Sequence, residues 1–344
     1  MSDAHGPSPA APPGGQIVFE GVSKTYPDGT RAVTDLDLEV RSHELMVLVG
    51  PSGCGKSTTM RMVNRLVEPS TGRILLDGVD IAGLDPGRLR RDIGYVIQHV
   101  GLFPHRTVAR NVATVPRLLG WPAARIAARV DELLELVGLD PEVHGRRYPH
   151  QLSGGQRQRV GVARALAAEP RVLLMDEPFG AVDPVGRRHL QDEFRRLHQR
   201  LQPTVMFVTH DIDEAVLLGD RVAVFSQGGR LEQVADPVSL LTQPATDAVR
   251  SFIGKGSAVR LLGLAAVEVA DLAPLTGPAP TQAGGLGELT VAVGATLGEA
   301  FAAVAESSSG RVPALDGDGH VVGEVTPEVI HRVLRRIHGE PDAA

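Results

Sequence analysis

Residues 50–57 read Gly50-Pro51-Ser52-Gly53-Cys54-Gly55-Lys56-Ser57, and no other stretch limits so tightly what the chain can fold into. An apolar run, Leu45–Val49, precedes it and a helical pattern follows, so the spacing is that of a P-loop between a strand and a helix. The glycines let the backbone curl around phosphate oxygens without side-chain obstruction. Successive amide hydrogens then point inward, and the helix N-terminus favours negative charge. Lys56 supplies a point charge to the β- and γ-phosphates of a nucleotide, and the Ser57 hydroxyl suits Mg²⁺. Cys54 reads as a small loop residue and not as a nucleophile, since no paired base is evident.

A P-loop needs a sheet, and the surrounding sequence supplies one. Residues 45–49, 172–175, 205–208 and 222–225 are short apolar runs, as expected of strands covered on both faces. Leu36, Leu38 and Val40 alternate with polar residues, as in a half-buried strand. Helical patterns lie between these runs, so residues 16–256 read as an α/β layered domain. Within it, residues 107–166 contain no convincing strand. Ile126, Val130, Leu133, Leu134 and Val137 recur at helical spacing with Asp131, Glu132 and Glu135 on other faces, which predicts a helical insertion.

The run Val172-Leu173-Leu174-Met175-Asp176-Glu177 delivers two carboxylates to the sheet edge where ligands bind in open α/β folds. Asp176 suits Mg²⁺ coordination through water. Glu177 suits orienting or deprotonating an attacking water. Leu152-Ser153-Gly154-Gly155-Gln156 opens a helix and forms a second anion cradle. One P-loop and one further cradle invite a dimer in which each cradle completes the other site. Arg157, Arg159 and Arg164 nearby read as a solvated helix face rather than as phosphate ligands.

The order of P-loop, glutamine-ended strand, Leu-Ser-Gly-Gly-Gln, Asp-Glu strand and strand-end histidine resembles the nucleotide-binding domain of ABC transporters over residues 16–256. The resemblance implies an α/β P-loop cassette, a mixed sheet core with a helical insertion, that binds and hydrolyses ATP with Mg²⁺. It implies that Gly50, Pro51, Ser52, Gly53, Cys54, Gly55, Lys56, Ser57 and Thr58 hold the nucleotide, with Tyr26 stacked on adenine. It makes Gln98 the residue that touches Mg²⁺ and senses membrane subunits, and His210 the residue that contacts the γ-phosphate. Ser153, Gly154, Gly155 and Gln156 become contacts to the ATP of a second cassette, and Asp183 the aspartate of the loop beside it. Val182 stands where Leu is more usual, and His99 where Gln often follows Gln98.

A finer resemblance lies in Ile93-Gly94-Tyr95-Val96-Ile97-Gln98, Gly101-Leu102-Phe103-Pro104-His105, Arg147-Tyr148-Pro149-His150-Gln151-Leu152 and Thr209-His210-Asp211-Ile212-Asp213. These look like the ATPases of osmoprotectant importers for glycine betaine, choline, carnitine or proline betaine. Such ATPases work as pairs on membrane permease subunits, at the cytoplasmic face, with an extracytoplasmic substrate-binding protein. An amino-acid importer ATPase, such as one for methionine, is the alternative reading. So is a non-transport ABC ATPase, although those commonly carry a coiled-coil insertion or two cassettes and neither is visible.

The remaining features bound the reading. The net charge is -6, which argues against a nucleic-acid partner held by bulk charge. The one cysteine excludes an intramolecular disulfide. No stretch approaches the roughly 20 apolar residues of a membrane helix. Residues 1–15, rich in Pro, Ala and Gly, read as a disordered leader and not a secretory signal. Residues 257–287 read as a linker or degenerate segment. Residues 288–338 read as one βαββα unit: strands at 290–293, 311–315 and 321–325, helices at 297–306 and from 327, and a hairpin signal at Asp316-Gly317-Asp318-Gly319. Val293, Phe301, Val304, Val312 and Val322 are its expected core. The unit resembles a single CBS domain, a small α+β module.

Overall fold

The computed structural model describes residues 15–97, 101–180, 182, 184–275 and 289–337. All but Gly15 of the expected leader lies outside them, as do Gln98 and Asp183. The chain divides into two compact units, residues 1–234 and 235–344, a boundary nearer the N-terminus than the break expected near residue 256. Among the described residues no helix is long and apolar enough to cross a membrane.

In chain order the strands of the first unit are β1 (Ile17–Thr25), β2 (Arg31–Val40), β3 (Leu45–Val49), β4 (Thr71–Leu76), β5 (Val79–Asp80), β6 (Ile93–Val96), β7 (Val172–Asp176), β8 (Thr204–Val208), β9 (Arg221–Ser226) and β10 (Arg230–Ala235). Its helices are α1 (Lys56–Val63), α2 (Pro86–Leu89), α3 (Val108–Val112), α4 (Thr114–Leu118), α5 (Ala123–Leu136), α6 (Pro141–His144), α7 (Gly154–Leu166), α8 (Pro184–Leu201) and α9 (Ile212–Leu218).

Two sheets result. One has the order β2-β1-β4-β5 and the other β10-β9-β3-β8-β7-β6. In the second, β9, β3, β8, β7 and β6 pair in parallel. Every residue of β3, β7 and β8 is buried, which is why those strands are continuous apolar runs in the sequence. Parallel strands end on a common edge, so residues 50–57, 177 and 209–210 all leave the sheet on the side where ligands bind. The inner face of the antiparallel sheet, with Phe19, Leu36 and Leu38, shares a core with Met46, Met206 and Phe225 of the parallel one. Each such side chain contributes about 1.5–3 kcal/mol by burial. Helices α3 to α7 fill residues 108–166 without a strand, and α5 buries Ile126, Val130, Leu133 and Leu134 on one face.

The second unit contains α10 (Pro237–Thr242), α11 (Asp247–Ile253), α12 (Ser257–Leu262), β11 (Val291–Ala292), α13 (Leu297–Glu306), β12 (Val312–Leu315), β13 (Val321–Val325) and α14 (Pro327–Ile337). The sheet order is β11-β12-β13, parallel then antiparallel. The Asp316 carboxylate closes the β12–β13 turn, accepting from the amides of Asp318 at 3.0 Å and His320 at 2.8 Å.

Sequence expectations for this unit change both in its core and in its linker. Val304 and Val312 are buried, but Val293 is only half-buried, Phe301 is 54% exposed and Val322 38% exposed. On α13 the inward stripe is Leu297, Ala300 and Val304, and Phe301 falls at its solvent margin. On β13 Gly323 and Val325 face inward, so strand alternation turns Val322 outward. The segment expected to be a linker contributes to the core through Ala265 and Val267. Its backbone bridges Ala266 to Thr296 and Ala273 to Glu324. Gly323 allows this approach, since a Cβ there would stand 2.7 Å from Leu272 Cβ. Single-residue bridges carry no periodicity, which is why the sequence does not reveal them. Residues 276–287 of that segment lie outside the described ones, as does residue 288.

Candidate active site

The chain leaves β3 and turns through residues 50–55 into α1. Two glycines are required by contact as well as by backbone: a Cβ at Gly55 (φ 96°) would stand 1.9 Å from the Ala32 carbonyl oxygen, and one at Gly50 (φ 152°) 2.2 Å from that of Phe225. Gly55 caps α1 without a side-chain bond, and no acidic residue sits in the first turn. The first-turn amides therefore point into the loop as anion donors. Lys56 is 5% exposed. Its Nζ donates to the carbonyl oxygens of Gly50 (2.7 Å) and Pro51 (2.9 Å) and lies 3.5 Å from Cys54 Sγ. A buried ammonium is tolerated because those acceptors satisfy it. Neutral carbonyls bind a cation less strongly than phosphate oxygens do, so an incoming phosphate has the advantage.

The Ser57 hydroxyl donates to Asp176 Oδ1 at 2.8 Å. Burial pushes the Asp176 carboxyl above the usual carboxylate range, and the Ser57 bond with the charges of Arg61 and Lys56 only partly offsets this. A buried carboxylate beside a hydroxyl is a hard oxygen pair that gains from a divalent cation, so the residues present fit Mg²⁺. Two residues beside them had no role in the sequence reading. Tyr95 on β6 has its hydroxyl pushed up by burial and by the Asp176 charge, with a bond to Arg61 opposing. Arg61 lies four residues after Ser57 on α1, and that spacing was the available signal.

Glu177 follows β7 in a left-handed conformation, φ 44°, and its amide donates to the Val208 carbonyl at 2.9 Å. Such a backbone costs a non-glycine residue about 1–3 kcal/mol, here balanced by the clamp between strand ends. His210 Nδ1 is 3.2 Å from Glu177 Oε1, so the two residues read separately from sequence meet. Behind them Glu214 on α9, 7% exposed, accepts from Gln191 Nε2 of α8 at 2.9 Å. Burial raises its carboxyl, and Thr209, next to His210, also bonds to it. Nothing in the sequence marked Glu214 apart from other polar residues on an amphipathic helix.

Tyr26 follows β1, and its hydroxyl lies 3.5 Å from Thr58 Oγ1, beside the P-loop helix. Ser153 caps α7: its Oγ accepts from the Gln156 amide at 3.2 Å and its own amide donates to Gln156 Oε1 at 3.0 Å. Gly154 and Gly155 form the first turn. Of the three arginines, Arg157 is exposed as a solvated face predicts, while Arg159 and Arg164 are half-buried. Arg157 donates to the Leu152 carbonyl (2.8 Å), Arg159 pairs with Glu193 (3.3 Å), and Arg164 donates to the Gly101 carbonyl (2.7 Å). Burial lowers the Arg164 pKa. Arg159 and Arg164 thereby tie α7 to segments distant in sequence.

One sheet edge thus carries a buried cation, a hydroxyl–carboxylate pair, a clamped glutamate and an imidazole, the set that phosphoryl transfer to water requires. Residues 33–180 match the ABC transporter family model. The chain is 53% identical over 239 residues to the glycine betaine/carnitine/choline transport ATP-binding protein OpuCA of Bacillus subtilis (strain 168), covering 70% of this chain and 62% of OpuCA, less than two thirds of its length. It is 43% identical over 320 residues to the choline transport ATP-binding protein OpuBA of the same organism, covering 93% of this chain and 81% of OpuBA. A dimeric bacterial ABC transporter cassette of known structure aligns at 32% identity with a TM-score of 0.58, covering 64% of this chain and 98% of that one. Sequence, fold and site agree that the chain belongs to the ABC transporter family, as one of its ATP-binding subunits.

Proposed function

We propose that this chain hydrolyses ATP with Mg²⁺ to power import of a quaternary-amine osmoprotectant such as glycine betaine, choline, carnitine or proline betaine. It works at the cytoplasmic face of the membrane, as a pair of chains with ATP between them. The partners are membrane permease subunits and an extracytoplasmic substrate-binding protein.

Lys56 and the loop amides hold the β- and γ-phosphates, Tyr26 stacks on the base, and Ser57 with Asp176 would hold Mg²⁺, which neutralises developing phosphate charge. Glu177 accepts a proton from the attacking water or orients it, and His210 holds the γ-phosphate and the Glu177 carboxylate in register. Gln98 and Asp183 keep the Mg²⁺-side and inter-cassette roles that the resemblance implies. Ser153 to Gln156 meet the ATP of the second chain.

The observation that supports the solute is the alignment with OpuBA, named for choline transport, over 93% of this chain. It runs beyond the cassette into the second unit. Deleting the gene is expected to impair uptake of glycine betaine, choline or related compounds under osmotic stress, measured with labelled solutes. Unchanged uptake of all of these, with failure of methionine or another amino acid to enter, would replace this reading by the alternative.

Residues 288–338, read as a single CBS-like module, complete that module by pairing with the same residues of the second chain. The exposed Phe301 and Val322 offer apolar surface for that pairing. A chain ending at Gly256 is expected to keep its ATPase activity and to lose the response of the reconstituted transporter to salt. Identical activation curves in vesicles for the full-length and shortened chains would leave the unit without a regulatory role.

A further inference from the structure

His144 lies at the end of α6, outside every motif the sequence singled out, and it contacts the signature residue Gln156. Its Nε2 is 3.4 Å from Gln156 Nε2, and its Nδ1 is 3.0 Å from the Asp140 carbonyl oxygen. Two nitrogens facing each other form a hydrogen bond only if one donates and the other accepts, so proton positions decide what the contact is.

Backbone groups of fixed polarity decide them. At one end, a carbonyl oxygen only accepts, so the Nδ1 facing Asp140 carries the ring proton. At the other, the Ser153 amide only donates, and it lies 3.0 Å from the Gln156 side chain. The atom receiving it must be Oε1, which turns the Gln156 –NH₂ toward His144. A neutral ring protonated at Nδ1 presents a lone pair at Nε2, and that lone pair receives the Gln156 donor. The result is one polarised chain: Ser153 N–H to Gln156 Oε1, Gln156 N–H to His144 Nε2, His144 Nδ1–H to the Asp140 carbonyl.

The anchor is held firmly. The Asp140 carboxylate caps α6 through the amides of Glu142 (2.8 Å) and Val143 (3.2 Å). The Arg147 and Gly145 carbonyls accept from the amides of Val108 (2.8 Å) and Ala109 (3.0 Å), tying the end of α6 to α3. Without this contact Gln156 would keep both bonds of the capping box, but its –NH₂ would lose this acceptor. With it, the amide plane is fixed from both sides.

We infer that His144 is a positioning residue for the signature motif: as a neutral acceptor it fixes the side chain of Gln156, and through it the Ser153 cap, in the orientation presented to a second ATP-bound chain. The inference rests on the reading of Ser153 to Gln156 as contacts to that second chain's nucleotide. A cationic or donor-only side chain at position 144 would face the Gln156 –NH₂ with a second donor. Gln156 would then have to turn its oxygen outward and lose the Ser153 amide.

The test uses the full-length chain with three readouts. Nitrogen NMR of histidine-labelled protein, with the His144 signal identified by its loss in His144→Gln, is expected to show a neutral ring protonated at Nδ1. A proton at Nε2 overturns the inference. His144→Ala is expected to leave ATP binding to the monomer unchanged and to lower turnover of the ATP-driven dimer about three- to tenfold, the effect of one lost hydrogen bond. His144→Gln, whose Oε1 reaches the place of the ring Nε2, is expected to restore turnover, and His144→Lys to be at least as impaired as His144→Ala. Parent turnover in His144→Ala, or equal impairment in Ala and Gln variants, overturns the inference. Ser153→Arg separates the two readings. Parent turnover in Ser153→Arg removes the inter-chain role of the signature, whereas an inactive Ser153→Arg beside a fully active His144→Ala removes only the positioning role.

Discussion

Glu177→Gln is expected to cut ATP turnover by about two to four orders of magnitude, the usual worth of a positioned general base. The substitution keeps the shape of the side chain. The amide of residue 177 still donates to the Val208 carbonyl, so the left-handed turn that aims the side chain is retained. What disappears is the negative oxygen 3.2 Å from His210 Nδ1, which would orient water or take its proton. On the proposed roles Lys56 and the loop amides hold the nucleotide, so binding should be unaffected and the variant is expected to accumulate as an ATP-bound dimer. Turnover and sizing chromatography measure the two effects together. A Glu177→Gln chain hydrolysing at the parent rate would remove Glu177 from the chemistry.

Lys56→Ala should lose hydrolysis entirely and weaken ATP binding about ten- to a hundredfold, the loss of one charge-assisted hydrogen bond to phosphate. The Gly50 and Pro51 carbonyls that the ammonium now satisfies also lose a partner, so thermal melting is the control for folding. Ser153→Arg fails differently. It spares ATP binding to the single chain, because among the described residues Ser153 bonds within the start of its own helix, and it blocks ATP-driven pairing. Mixed with Lys56→Ala, it is expected to regain at most one working site per mixed dimer, since each chain supplies the half the other lacks. Full activity of Ser153→Arg alone would end the composite-site reading.

Other features of the site make these experiments interpretable one at a time. Glu214, Gln191 and Thr209 form a buried bonded group that fixes the chain next to His210, whose own side chain meets Glu177. Arg159 and Arg164 tie α7 to segments distant in sequence, so changes at Ser153 are read against a helix whose position has independent support.

The sequence by itself determined what local chemistry can specify. A glycine turn that must adopt positive φ, a lysine and serine at its end, apolar strands closed by Asp176-Glu177 and Thr209-His210, and a Ser-x-x-Gln helix start each carry their signal within a few residues. From them followed the α/β layered domain, the helical insertion and the membership of one site by residues separated along the chain. Tertiary structure alone decided which of those residues touch. The Glu177–His210 contact depends on β7 and β8 being neighbours, and the Ser57–Asp176 bond on the register of α1 against β7. It also decided what no periodicity encodes: the single-residue bridges of Ala266 and Ala273, the outward turn of Phe301 and Val322, and the contact of His144 with Gln156. A pattern of side-chain types records which face is apolar. It does not record which polar atom lies 3 Å from which, because that is set by the packing of elements distant in sequence.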